Sequence, residues 1–161
     1  MFYTRKAFSM IELVFVIVII GILSAVTIPK MAASKDKATG SMCIHEVGQL
    51  IQEISRVFML SGTTFFKDLN ISTISNVTTN VGTNGTGIAE TPSAKVDTQG
   101  ITYVCDGEAL VFIVGNYRAS QNAYVLSISN LNPTEPACIN AAIQLRKMYS
   151  IASGGTRFFT L

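Results

Sequence analysis

Leu13-Val-Phe-Val-Ile-Val-Ile-Ile-Gly-Ile-Leu-Ser-Ala-Val-Thr-Ile28 carries no charged residue. Extended back to Phe8, the stretch reaches about 20 residues, enough to cross a hydrocarbon layer of roughly 30 Å. It is apolar on every side of a helix, unlike a core helix with one buried face. Arg5 and Lys6 precede it, and cations on that flank hold the N-terminus in the cytoplasm and direct the rest outward. One residue breaks the pattern. Glu12 lies inside the apolar stretch, where a carboxylate costs about 2.5–3.5 kcal/mol even on lenient insertion scales. No Lys or Arg occurs between Phe8 and Pro29, so a partner for Glu12 comes from another chain or from a terminus.

Three readings of this segment compete. A secretory signal peptide would use Arg5 and Lys6 as its basic region, with small residues near Ser24-Ala25 or Ala32-Ala33 for cleavage. A plain signal anchor would carry a periplasmic domain and let Glu12 reach the interface. The third reading is an anchor processed at its cytoplasmic end.

The third gains from the residues around Glu12. Lys6-Ala7-Phe8-Ser9-Met10-Ile11-Glu12-Leu13-Val14 resembles the processing motif of type IV prepilins: a small residue, Phe, two variable positions, then Ile-Glu-Leu. The resemblance covers the first 25 to 30 residues and extends to Gly21 and Pro29, which fall where the family carries a helix-loosening Gly and Pro. The family includes type IV pilins and the pseudopilins of type II secretion and competence. Ala7 stands where the family usually has Gly. The resemblance implies cleavage between Ala7 and Phe8 by prepilin peptidase and N-methylation at Phe8. It also implies assembly through Glu12, paired with the N-terminal amine of a neighbouring subunit. Residues 1–7 are then a leader and 8–29 the transmembrane and assembly half of a long helix. The partners are the peptidase, other pilin or pseudopilin subunits and the bacterial inner membrane. The chain is expected there as a single-pass protein with its head outside the cytoplasm, and afterwards in a pilus or periplasmic pseudopilus.

Composition fits such a chain. Its 161 residues are 48% hydrophobic and 14% charged, which excludes a disordered, charge-rich polypeptide. Mean hydropathy is +0.41. The formal charge of +2 excludes nucleic-acid binding through bulk charge. Loss of Arg5 and Lys6 would leave 10 cations against 10 acids, so the mild basicity reports topology.

Beyond Pro29, helical periodicity returns. Val47, Leu50, Ile51, Ile54, Val57 and Phe58 recur at three- and four-residue spacing, with Lys35, Asp36, Glu46, Glu53 and Arg56 between them. The spacing predicts an amphipathic half-helix over 30–60, stopped by Ser61-Gly62. Gly40 and Gly48 each weaken it by about 1 kcal/mol relative to Ala. Cys43 reads as a small buried hydrophobe and His45 as a surface or packing residue.

Residues 61–161 form the expected head. Its 61–99 part is rich in Thr, Ser, Asn and Gly, with a turn signal at Asn84-Gly85, and reads as a variable surface loop. Strands are expected at 100–105, 109–114 and 123–128, separated by Asp106-Gly107 and by turn residues between Gly115 and Asn122. A short helix is expected from Cys138 to Tyr149, with Thr134 as a cap and Pro136 in its first turn. The tail 156–161 is an edge strand or a packed end. The fold class is α+β, pilin-like: one long helix on an antiparallel sheet of 3–4 strands with a short C-terminal helix. Three cysteines suggest an oxidising compartment with one left over. The resemblance implies a C-terminal bridge between Cys105 and Cys138, worth roughly 3–4 kcal/mol.

Catalytic chemistry is not indicated. No Ser/His/Asp or Cys/His set stands out around the single His, which could not sustain several such sites, and no Gly-rich phosphate loop occurs. No metal site or cofactor is expected; Asp97, Asp106 and Glu108 read as solvated turn acids. Arg118, Arg146, Lys147 and Arg157 would form a weak nucleic-acid patch if clustered, a minor alternative. The expectation is a structural, non-enzymatic subunit, with an unprocessed signal-anchored binding domain or enzyme as the alternative.

Overall fold

The structure is a computed structural model that describes residues 9–82, 85–97, 99–118, 123–152 and 154–161. Helix α1 spans Met10–Phe66 and α2 spans Ile71–Ile74. They are followed by β1 (Gly87–Ile88), β2 (Ile101–Cys105), β3 (Glu108–Arg118) and β4 (Ala123–Asn130), then α3 (Pro136–Tyr149) and β5 (Thr156–Thr160). The strands form one antiparallel sheet in the order β1-β2-β3-β4-β5. The fold class is α+β. The chain divides into two compact units, Met1–Lys35 and Asp36–Leu161.

The second unit is built on the apolar stripe of α1. Cys43, Val47, Leu50 and Ile54 are fully buried, and Ile51, Val57 and Phe58 pack against the same core. Each fully buried aliphatic side chain contributes about 1.5–3 kcal/mol. The stripe meets Ile101, Tyr103, Leu110, Ile113, Leu126 and Ile128 of the sheet in a single cluster. Gly40 opens the stripe at its N-terminal end. A Cβ there would sit 2.7 Å from the Ala137 carbonyl oxygen, so the bare backbone lets α3 lie directly against α1.

In the placement of its elements, the structure differs from sequence expectation at four places. Gly62 takes the left-handed φ of 67° expected of a helix stop, but the chain resumes helical geometry as far as Phe66, which is buried. Phe66 and Phe58 pack on Tyr124, with ring centroids 5.2 and 4.7 Å away, and this aromatic contact draws the extra turn in. Much of the stretch expected as a surface loop is packed. Ile71, Ile74, Val77, Ile88 and Val96 are buried, and β1 adds a strand to the sheet. The apolar residues there are too widely spaced to show a period, and only the tertiary fold gathers them. The sheet therefore has five strands where three or four were expected. Finally, β3 runs on through Gly115 to Arg118. Gly115 is strand because the Tyr124 ring lies over it, filling the space a side chain would take.

Three local expectations hold. Asp106 (φ 49°) and Gly107 (φ 88°) make the two-residue turn of a hairpin closed by the Cys105–Glu108 pair. Helix α3 starts at Pro136, and the tail is edge strand β5. Asn84 of the expected turn lies outside the described residues.

Candidate functional site

The apolar half of α1 begins with its own cap. The Glu12 backbone N–H donates to the Ser9 carbonyl oxygen (3.1 Å) and to Ser9 Oγ (3.3 Å), and Leu13 N–H donates to the same carbonyl (3.3 Å). Ser9 thus satisfies N–H groups that a helix start leaves open, a necessity where no water is at hand. Ser9 and Glu12 stand in the Ser-x-x-Glu spacing of a capping box. Glu12 occupies the first turn, where the helix dipole favours a negative charge.

From Met10 to Ile28 every large apolar side chain is exposed, from 40% at Ile19 to 86% at Met10. The segment holds an 18-residue window of mean hydropathy 2.8 with no buried residue. Burying the exposed side chains, in lipid or against other helices, is the strongest demand the sequence makes. The backbone stays helical through Gly21 and Pro29, because Gly62 is where α1 leaves helical geometry. Nothing lies within 4 Å of the place a Gly21 side chain would occupy. Thr27 Oγ1 donates to the Leu23 carbonyl oxygen at 2.8 Å, keeping its hydroxyl satisfied within the helix. Glu12, Gly21 and Pro29 therefore lie along one exposed helical segment. Ala7 and Phe8, the expected processing residues, lie outside the described residues.

The cysteines correct the expected pairing. Cys105 is bonded to Cys43, with Cα atoms 5.9 Å apart, and Cys138 is free and buried. Cys43 sits on the buried stripe of α1 one turn before Val47, which aims its sulfur at the end of β2. Cys138 instead donates its thiol hydrogen to the Cys105 carbonyl oxygen. Burial, with the charges of Glu108, Asp106 and Glu135 nearby, pushes the Cys138 thiol up to about 11. The bridge ties α1 to the sheet where the resemblance implied a tie between α3 and the sheet. One signal for it was present in the sequence: Cys43 continues the three- and four-residue spacing of Val47, Leu50 and Ile54.

Two polar contacts, not anticipated from the sequence, lie along the same stripe. Tyr103 Oη donates to Glu46 Oε2 at 2.7 Å from a fully buried position. Burial and the neighbouring Glu46 carboxylate both raise the Tyr103 pKa, so the phenol stays a donor. Two turns beyond Glu46 and one beyond Gln49, Glu53 accepts hydrogen bonds from Gln49 Nε2 (2.9 Å) and from the Ser75 hydroxyl. Burial opposes ionisation of Glu53, but hydrogen bonds from Gln49, Ser75 and the Asn76 backbone, with the Arg56 charge, outweigh it and lower its pKa.

Several other charged groups hold the head together. Glu108 accepts from Thr134 N–H (2.6 Å), Glu135 N–H (2.8 Å) and the Thr134 hydroxyl, which fixes the start of α3 to the β2–β3 hairpin. Those bonds, that of Glu135 foremost, lower its pKa. Thr134 is spent on Glu108, and α3 has Glu135 at its N-cap position with no side-chain cap. Arg118 lies over the Phe158 ring and Arg157 over Phe159. Arg157 also donates to the Tyr149 carbonyl oxygen, and Arg146 donates to Asn130 and Asn132. Among the described residues, no group of three or more His, Cys, Asp or Glu side chains is placed to hold a metal ion. His45 is exposed.

Residues 3–28 match the model of the prokaryotic N-terminal methylation motif, the prepilin-type motif of type IV pilins and pseudopilins. No curated protein and no solved structure matches the chain.

Proposed function

We propose that the chain is the precursor of a structural subunit of a type IV pilus or type II secretion pseudopilus. Prepilin peptidase cuts it between Ala7 and Phe8, the new N-terminus is methylated, and the subunit polymerises through the first half of α1. The observation that carries this reading is Glu12, the fifth residue counted from Phe8, on an otherwise apolar stretch of helix from Met10 to Ile28 whose large side chains are all exposed. In lipid that carboxylate is costly, and docking beside a cation of a neighbouring subunit relieves the cost. The same apolar residues serve twice, first against acyl chains and then against sister helices. Its action is mechanical, through the filament, and the head is the part the filament displays.

The test is the mature N-terminus together with filament incorporation. Methylated Phe8 is expected. Retention of Met1, or a start near Ala33, overturns the reading in favour of a signal anchor or a signal peptide. Glu12→Ala and Glu12→Val are expected to be cleaved normally yet to be lost from sheared filaments; incorporation at the wild-type level refutes Glu12 as the assembly residue.

A further inference from the structure

Between Phe8 and Ser34 the sequence contains one acid, Glu12, and one cation, Lys30. Eighteen residues separate them, which at 3.6 residues per turn is five turns. The backbone between them is helical throughout, including Pro29. Glu12 and Lys30 therefore lie on the same face of α1, about 27 Å apart. That distance is far beyond the reach of a lysine side chain, so the two cannot pair within one chain.

Lys30 is exposed and lines a surface concavity of ≈ 390 Å³ with Val26, Thr27, Met31 and Ser34. The apolar members of that lining suit the end of another apolar helix, and the ammonium supplies the charge such an end would need. Beside the membrane, Lys30 has water and lipid phosphates. Inside a bundle of apolar helices it has neither, and an unpaired ammonium there is as costly as an unpaired carboxylate. The acid available along this part of the helix is Glu12 of another copy.

We propose that Lys30 of a second copy is a docking partner of Glu12, and that the five-turn spacing sets the axial offset between parallel neighbours. A copy displaced outward by five turns brings its Glu12 to the Lys30 concavity of the copy below. Its own Lys30 then awaits the next arrival. Such a contact joins two different surfaces and does not close, so it propagates a filament. A carboxylate has acceptor sites for more than one cation, so the pairing adds to one with the N-terminal amine and does not compete with it. This inference rests on the filament reading above and names a partner for its assembly residue.

The full chain, expressed with its own processing and assembly machinery, gives the test. Lys30→Glu and Lys30→Gln are compared with wild type for the mature N-terminus and for the share of subunit in sheared filaments. Normal cleavage is expected, with the filament share down about tenfold or more in Lys30→Glu and less in Lys30→Gln. A photo-reactive residue replacing Met31, beside an intact Lys30, is expected to crosslink in filaments to the Ser9–Val16 region of another copy. Wild-type filament share in both Lys30 variants, or crosslinks confined to other segments, overturns the pairing. If that happens while Glu12→Ala remains excluded from filaments, the filament reading survives and the Lys30 assignment alone fails. If Glu12→Ala assembles normally, both fall.

Discussion

The two ends of α1 solve opposite problems with the same secondary structure. From Met10 to Ile28 the helix presents apolar side chains in every direction, and all its large ones are exposed. From Gly40 to Ile54 it presents one stripe, and that stripe is held by packing, by a disulfide to Cys105, and by hydrogen bonds that Tyr103 donates to Glu46 and Ser75 donates to Glu53. On the proposed filament reading, the first segment is the one that exchanges lipid for other helices. The second is fixed to the head, so a pull along the helix is shared by the sheet. The difference places the cohesion of the head in the second segment and leaves the first as the surface that the proposed assembly would use.

The sharpest way to break this comparison is to cut the covalent tie. Replacing Cys43 and Cys105 with Ser removes a bridge that closes a separation of 62 residues, and the chain-entropy estimate for such a loop is about 4 kcal/mol. Thermal unfolding of the head should drop correspondingly, and wild type in reductant should approach the variant. Cys138→Ser should leave the Cys43–Cys105 bridge intact in a non-reducing peptide map.

A paired substitution sharpens the contrast. Leu50→Ala empties a fully buried site and is expected to cost about 2–5 kcal/mol of head stability. The same change at Leu23, which is 62% exposed, should alter head stability by less than about 0.5 kcal/mol and register only in membrane insertion or assembly. Equal losses at both positions would show that the two segments are not energetically distinct.

The smallest effect is expected from acid. The carboxyl pKa values of Glu108 and Glu53 are depressed in the folded state below the ordinary value of 4.5. Their contribution to stability is therefore complete above that value and is lost as pH falls below it through the folded pKa. Denaturant unfolding of the head should weaken in that window. Glu108→Gln, which keeps the shape but loses the charge at the start of α3, should flatten the acid limb and leave the apolar segment's behaviour unchanged.

Much of this was legible along the chain. The apolar segment needs no tertiary context, since roughly 20 uncharged apolar residues dictate both helix and environment, and Glu12 stands out against them without reference to any fold. Val47, Leu50 and Ile54 betray a buried face because a helix repeats every 3.6 residues. The Asp106-Gly107 turn is local chemistry. The stretch from Phe66 to Val96 was not legible, because its buried side chains are isolated in sequence and acquire a common environment only when the sheet and α1 are already placed. Gly115 reads as turn chemistry in sequence, yet it is a strand residue under the Tyr124 ring.

The cysteines mark the boundary between the two kinds of information. Sequence alone determined a membrane-length helix with a single carboxylate at its start, an amphipathic continuation, and a sheet-and-helix head, because these follow from local hydrophobicity, periodicity and turn preference. It also fixed the spacing of Glu12 and Lys30, since a helix converts residue number directly into angle and height. Tertiary structure decided that Cys105 meets Cys43 and not Cys138, and that Glu46 and Glu53 receive hydrogen bonds from partners far along the chain. Those outcomes depend on which faces of separate elements come together, and local sequence shows only that Cys43 continues the buried stripe.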